Sequence, residues 1–427
     1  MNIQETIDFT EFSFEGHAQG TYKEKPVRAF GVLSGETANI HIYKKKRNIF
    51  YARPQEILKK SKERIPKKED HYVTCSPWQI MPYDIQCAHK KELLRHLYEE
   101  EVRIDDFFIS PVTEGYRTKV EYSFTEVEGK LLLAFHTRDR KYDMDALSKG
   151  CMLASPAMND AAQAILAILQ EKNITLDDLK TLILRESKSK KTCIAILYVK
   201  NKQAGETLKN VSHFLLGING FLVIYSNPLS PASKTTAVLH VSGDNFLEEV
   251  IKNRTIKYGF DSFFQNNMPV FENALEIIQK ETAGAQCIAD LYCGAGTIGI
   301  CLAEKNQRMI GVEIDEHAAL RAKENALSNN IVPYEAYELS AEKTEKEILQ
   351  KADVIIVDPP RSGLHPKLTK TILECTPKKI IYLSCNPKTQ HDDMLLLLQN
   401  YTPIKLYGFD FYPQTPHMES LLICFKK

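Results

Sequence analysis

The carboxy-terminal part of the chain alternates short apolar runs with amphipathic segments, and this alternation constrains the fold more than any other feature. From about Thr255, strands are expected at residues 287–291, 309–313, 354–357, 380–384 and 421–425, with helices between them such as 298–305. Short apolar runs separated by helical segments predict βαβ units, and therefore a parallel, doubly wound sheet. Ligands of such sheets bind beyond the carboxyl ends of the strands. The chemistry is thus expected in the loops after Leu291, Val312, Val357 and Ser384.

Those loops carry unusual residues. Asp290-Leu-Tyr-Cys-Gly-Ala-Gly-Thr-Ile-Gly299 follows a strand and opens a helix, and contains G-x-G-x-x-G at Gly294, Gly296 and Gly299. Glycines let the backbone turn tightly and approach a ligand. Alone this is as much an NAD fingerprint as anything else. Asp290 at the strand end offers a carboxylate to a cationic ligand group. Glu313, ending the next strand, can accept from ribose hydroxyls, which dinucleotides and S-adenosylmethionine share. Asp358-Pro-Pro-Arg361 leaves its strand rigidly, because two prolines fix the exit. In Ser384-Cys385-Asn386-Pro387 a cysteine stands at a strand end, and a thiolate is well suited to attack an electron-poor carbon. Glu419, in His417-Met-Glu419, offers a general base. The competing reading of each residue by itself is structural: a βα turn, a buried cysteine, a surface glutamate.

The first 64 residues read as β, with short strands expected at 28–33, 38–43 and 49–53, which fits a small OB-like barrel. Residues 65–254 read as mixed α+β, with helices at 90–102 and 157–170, a hairpin of 119–124 and 131–137 around Gly129, and strands at 181–186 and 193–199. Residues 255–427 form the doubly wound part. The net charge is zero, which excludes a wholly basic nucleic-acid coat. Yet between Lys44 and Lys68 eleven Lys or Arg stand against Glu56 and Glu63, with Tyr43, Phe50 and Tyr51 among them. Such a patch can meet phosphates and offer rings for stacking; a solvated surface is the alternative.

No run of about 18 apolar residues occurs, so no membrane span is expected, and the amino terminus lacks the pattern of a signal peptide. The ten cysteines have no regular spacing, which fits a reducing cytoplasm better than a secreted disulfide framework. Nothing points to an obligate oligomer, and a monomer is expected.

The motifs together resemble the RNA 5-methyluridine methyltransferase family. The resemblance is carried by Ser262-Phe-Phe-Gln-Asn-Asn267, Asp290-Leu-Tyr-Cys-Gly-Ala-Gly, Gly311-Val-Glu313, Asn325-Ala326, Asp358-Pro-Pro-Arg-Ser-Gly-Leu364, Ser384-Cys-Asn-Pro-Lys-Thr389 and Pro413-Gln-Thr-Pro-His-Met-Glu419. It extends over nearly the whole chain, with Gly115-Tyr-Arg-Thr-Lys-Val120 similar to the family's central signature and residues 1–64 similar to its RNA-binding TRAM barrel. The implied fold is α/β: a Rossmann-like class I methyltransferase sheet, a central α+β domain and the barrel. The resemblance implies that Cys385 is the nucleophile and Glu419 the proton acceptor. It implies that Gln265, Tyr292, Gly294, Gly296, Thr297, Glu313, Ser340 and Asp358 contact S-adenosylmethionine, although Ser340 stands where the family usually has Asp or Asn. The implied partner is ribosomal or transfer RNA, touched by Arg117, Lys119 and Phe263, with Phe264 and the Tyr412-Pro413 turn as further rings for a flipped uridine.

Two departures stand out. Many members carry a four-cysteine iron–sulfur site; here Cys75 and Cys151 match two ligands while Pro66 and Tyr72 fall at the others, so no cluster and no metal are expected, with Cys87 and His71 as nearby donors for an irregular site. Asp392 stands where the family usually has an Arg. Alternatives are a C5-cytosine methyltransferase, which usually has its cysteine next to the Asp-Pro-Pro equivalent; an amino-group methyltransferase, which needs neither Cys385 nor Glu419; a non-catalytic RNA-binding protein; and an NAD oxidoreductase.

Overall fold

The computed structural model describes residues 3–138, 143–230 and 232–427. They form two compact units: residues up to 93 with 135–145 and 412–417, and residues 94–134, 146–411 and 418–427.

In the first unit, β1 (Ile3–Phe12), β2 (Ala18–Tyr22), β3 (Lys25–Ala29), β4 (Glu36–Lys46) and β5 (Ile49–Lys59) close into a barrel in the order β1-β2-β3-β5-β4. Period-two burial places Ala38, Ile40 and Ile42 of β4 inside, against Phe9, Val27 and Ala52. β1 and β2 escape a reading of apolar alternation because β1 buries only Ile7 and Phe9 of its ten residues, and β2 has few apolar residues. The strand expected at 28–33 ends earlier, since Gly31 turns the chain at φ +83°. Two parts of the basic patch are structural. Phe50 is 6% exposed in the barrel core, so it offers no ring to a base. Arg64 forks onto buried Glu36 at 2.6 and 2.7 Å.

The second unit holds an eight-stranded sheet in the order Tyr334–Glu338, Arg308–Glu313, Cys287–Leu291, Val354–Val357, Lys379–Ser384, Glu419–Lys426, Tyr401–Phe409, Ile104–Phe108. The first five are parallel. Cys287–Leu291 and Val354–Val357 are fully buried, as strands covered on both faces must be. The order reverses between these two strands, and that switch point is where such sheets open a crevice.

The all-parallel expectation needs correction at one edge. Glu419–Lys426 runs antiparallel to both neighbours. The connection from Phe409 to Glu419 is too short for a crossover helix, which parallel strands require. The final strand, Ile104–Phe108, comes from far upstream and was not foreseen, because only five residues with two adjacent aspartates form it.

A further sheet of the same unit has the order Ala237–Gly243, Gly220–Tyr225, Thr192–Val199, Leu179–Ser187, Lys119–Val127, followed by the strand beginning at Lys130. Helix Pro156–Glu171 covers it. Ser155 caps this helix by accepting from Met158 N, Pro156 suits its first turn, and Met158, Ala161, Ala162, Ile165, Leu166 and Leu169 form its buried stripe. Among the described residues, no helix is long and apolar enough to cross a membrane.

Candidate active site

The parallel strands deliver Tyr292, Glu313, Asp358 and Cys385 to one end of the sheet, each just at or beyond its strand's last residue. Ser340 follows the edge strand Tyr334–Glu338 and is buried there. Glu419 reaches the same end from the antiparallel strand. Ser384 pairs with Ser420, so Cys385 and Glu419 are each one step beyond the same antiparallel pair. The sheet register itself joins this thiol and this carboxylate, which 33 intervening residues conceal in the sequence.

Accessibility separates Cys385 from most other cysteines. Eight of the ten are buried; Cys375 and Cys385 alone are partly exposed. Cys375 ends a helix and its Sγ lies 3.6 Å from the Lys346 carbonyl. The Cys385 thiol is pushed up to about 11, first by burial, then by the charges of Glu419 and Asp358, with Arg361 opposing them. Without a ligand, Cys385 is therefore a protonated thiol at neutral pH. Glu419 is 3% exposed.

The glycine-rich turn is built from beneath. Asp290 is 1% exposed and its Oδ2 accepts from Gly299 N at 2.9 Å, so its first role is to hold the helix start. Glu313 Oε2 accepts from Gly294 N at 2.9 Å, and its Oε1 accepts from Ile314 and Asp315 N. Asn325 donates to the Ala295 and Lys257 carbonyls, fastening the turn to the strand Arg254–Gly259. Tyr292 takes φ +64° and Gly296 φ +80°; Thr297 is the first helical residue after Gly296.

Gln265 is 5% exposed, and its Nε2 reaches Asp358 Oδ2 at 3.4 Å. Its Oε1 and Asp290 Oδ1 are buried without hydrogen-bond partners. Burial raises both Asp358 and Asp290; the Asp290 charge raises Asp358 further, and the Glu313 charge raises Asp290. A crevice with vacant buried acceptors and crowded carboxylates suits a ligand that brings donors and positive charge. S-adenosylmethionine, with its ammonium and sulfonium groups, fits that donor set; hydride chemistry gains nothing from it.

The loop after Asp358 is latched to the Cys385 loop. Asn386 Nδ2 and Thr389 Oγ1 donate to the Arg361 carbonyl at 2.9 and 3.3 Å. Asp393 Oδ2 accepts from Leu364 N at 2.8 Å and from the Tyr382 hydroxyl at 2.7 Å. Their latching role was missed in sequence because, the Tyr382 hydroxyl apart, their partners are main-chain atoms. Thr118 was missed for the same reason: it donates to the Gln265 carbonyl at 2.7 Å. It also fixes its neighbours Arg117 and Lys119 beside the Gln265 loop. Lys119 is exposed, 3.8 Å from Glu121.

The aromatic candidates divide. Phe263 is 68% exposed. Phe264 is 5% exposed and stacked on Tyr258 at 3.8 Å, 7° from parallel, so it is packing and not a platform for a base. Tyr412 and Pro413 belong to the first unit, where the Tyr412 carbonyl accepts from Lys90 Nζ. Cys151 is 1% exposed in the second unit, its backbone held by Asn159.

Comparison with known proteins fits this geometry. Residues 82–427 match the tRNA (uracil-5-)-methyltransferase family. An uncharacterized RNA methyltransferase of Caldanaerobacter subterraneus is 30% identical, over 97% of each chain. One of Clostridium acetobutylicum is 27% identical over 100% of this chain and 99% of its own. The crystal structure of Pyrococcus abyssi tRNA (uracil-54, C5)-methyltransferase in complex with S-adenosyl-L-homocysteine superposes with a TM-score of 0.79 at 21% identity, covering 99% of this chain and 100% of that one. At that identity the likeness establishes the fold.

Proposed function

The chain belongs to the tRNA (uracil-5-)-methyltransferase family, and from that premise we propose that Cys385 and Glu419 methylate C5 of a uridine in transfer or 23S ribosomal RNA. The observation that carries the reading is the Ser384–Ser420 register, which sets a reachable thiol and a buried carboxylate at one strand end.

Uridine C5 is a poor nucleophile. The Cys385 thiol gives its proton to solvent and its thiolate adds to C6, forming an S–C6 bond and moving the C5=C6 electron pair towards C5 and O4. S-adenosylmethionine, when bound, would supply an electrophilic methyl group to C5, its sulfonium–methyl bond breaking to leave S-adenosylhomocysteine. C5 takes that methyl, Glu419 removes the C5 proton, and the S–C6 bond breaks to restore the ring double bond and free the Cys385 thiolate. Gln265, Asp358 and Glu313 orient the cofactor, and the glycine turn gives it close backbone approach. The base must leave its stack for C6 to meet Cys385; in this reading exposed Phe263 stacks on it, and Arg117 and Lys119 meet phosphates. The cell compartment this implies is the cytoplasm.

The test is a pair of variants with mapped RNA products. Cys385→Ala abolishes methylation and covalent RNA adducts while retaining S-adenosylhomocysteine binding. Glu419→Gln lowers turnover by about 10²–10⁴-fold, as for loss of a general base, and accumulates an adduct that survives denaturing electrophoresis. Methylation by Cys385→Ala at the normal rate would refute the nucleophile. Mass-spectrometric mapping of 5-methyluridine in RNA from cells with and without the gene identifies the target.

A further inference from the structure

The family's iron–sulfur site needs four thiolates, and the first unit does not offer them. Instead Glu69, His71 and Cys75 converge. One donor atom from each lies within 4.8 Å of the others. His71 Nε2 is 3.4 Å from Glu69 Oε1, and Cys75 Sγ is 3.7 Å from Glu69 Oε2. We propose that these three side chains bind a single divalent transition-metal ion, zinc by donor type, which fastens the segment leaving the barrel.

The donor atoms stand at separations of the size that ligands of one ion require. Zinc binds imidazole nitrogen and carboxylate oxygen at about 2.1 Å and thiolate at about 2.3 Å. In a tetrahedron those bond lengths put N and O about 3.4 Å apart, and S and O about 3.6 Å apart. The observed separations are 3.4 Å from His71 Nε2 to Glu69 Oε1 and 3.7 Å from Cys75 Sγ to Glu69 Oε2, so the imidazole and the thiol flank the two oxygens of one carboxylate.

Charge and burial point the same way. The side chains of His71 and Glu69 are 9% and 13% exposed, and Cys75 is 8% exposed. A divalent ion with one thiolate, one carboxylate and a neutral imidazole gives zero net charge. On binding, the Cys75 thiol loses its proton to solvent as the sulfur–metal bond forms, with no redox change. One sulfur, one nitrogen and one oxygen donor suit zinc.

The neighbourhood holds the donors in place. Arg138 Nε donates to the Thr74 carbonyl at 2.8 Å, and Thr74 Oγ1 hydrogen-bonds Asp145. The His71 ring lies 5.8 Å from Phe135. Upstream, Arg64 is tied to Glu36 of β4. A metal at residues 69–75 would therefore continue the barrel's own cross-links.

Full-length protein made in zinc-supplemented medium is expected to carry one zinc per chain by plasma mass spectrometry, with no acid-labile sulfide. Metal-free protein titrated with Co(II) should develop a thiolate-to-cobalt charge-transfer band that saturates at one ion and is displaced by Zn(II). Cys75→Ser should lose that band, and His71→Ala should weaken binding by more than about 100-fold, beyond the 10–100-fold typical of an outer-shell partner. Cys87→Ser, a buried cysteine of the same unit outside the trio, should keep both. If either ligand variant fails to fold, the wild-type cobalt titration still decides. No band at any cobalt concentration, metal retained undiminished in Cys75→Ser, or iron with labile sulfide would overturn the assignment.

Discussion

The carboxylate of Asp290 accepts the Gly299 N–H at 2.9 Å from beneath the glycine-rich turn, in a position only 1% exposed. Burial raises this acid to about 7 from a usual 3.8, and Glu313 adds to the rise. An acid whose folded pKa lies above its unfolded one holds extra protons in the native state. Stability therefore falls as pH climbs from about 4 to about 7, by on the order of a few kcal/mol at most. Asp290→Asn keeps an oxygen acceptor for Gly299 and removes the ionisation. Its expected signature is a flatter stability-versus-pH curve across that window, read by urea melts of ligand-free protein. A slope equal to that of the wild type would show that the Asp290 carboxyl is not the titrating group.

The second prediction concerns thiol reactivity. Cys385 is pushed up to about 11 by burial first and then by the negative charges of Glu419 and Asp358. Iodoacetamide should label it slowly at pH 7, with the rate rising towards that value. Glu419→Gln removes the larger of the two charges and so stabilises the thiolate, shifting the rate–pH profile to lower pH. Asp358→Asn shifts it in the same direction by less. Peptide mapping separates Cys385 from Cys375, the other partly exposed thiol. A profile unmoved by Glu419→Gln would mean that the two groups are not electrostatically joined.

Much of the site was legible because its residues end strands whose apolar runs are plain in the sequence. Val354–Val357 is found where expected, and Asp358 follows from it. The pairing of Cys385 with Glu419 was legible only through family resemblance, because it depends on the antiparallel register of the last strand. Phe264 misled because residue type does not reveal burial, and its ring is spent on Tyr258. Ile104–Phe108 and the first barrel strands escaped because their sides facing solvent are polar and their apolar residues are few. Of the Glu69–His71–Cys75 trio, Cys75 and His71 were visible in the sequence as donors, while Glu69 escaped because a carboxylate within a charged segment carries no distinguishing pattern.

A third prediction tests the latch between loops. Asp393 serves two buried donors at once, Leu364 N and the Tyr382 hydroxyl. Asp393→Ala strands both, and each unsatisfied buried group costs about 1–3 kcal/mol. The melt should shift accordingly. The loop carrying Asp358 should also loosen, raising the dissociation constant for S-adenosylhomocysteine. Asp393→Asn, which retains an oxygen acceptor, should recover most of the stability. Equal damage from both variants would mean that charge, and not the two hydrogen bonds, is what the loop needs.

The glycines of the turn separate folding from binding. An added Cβ at Gly296 would lie 2.7 Å from Ile300 Cδ1 and 2.9 Å from the Tyr334 hydroxyl, at φ +80°. Gly294, at φ +56°, has no atom within 4 Å of its added Cβ. Gly296→Ala therefore meets both steric overlap and left-handed strain, while Gly294→Ala meets only the strain, worth about 1–2 kcal/mol. The expected outcome is a large loss of thermal stability for the first and a modest one for the second. Yet the free space over Gly294 borders the crevice, beside Glu313, so Gly294→Ala should weaken S-adenosylhomocysteine binding far more than it lowers the melting temperature. Calorimetric titration of folded Gly294→Ala decides it: wild-type affinity would show that the cofactor does not approach the backbone there, and the turn's glycines would then serve the fold alone.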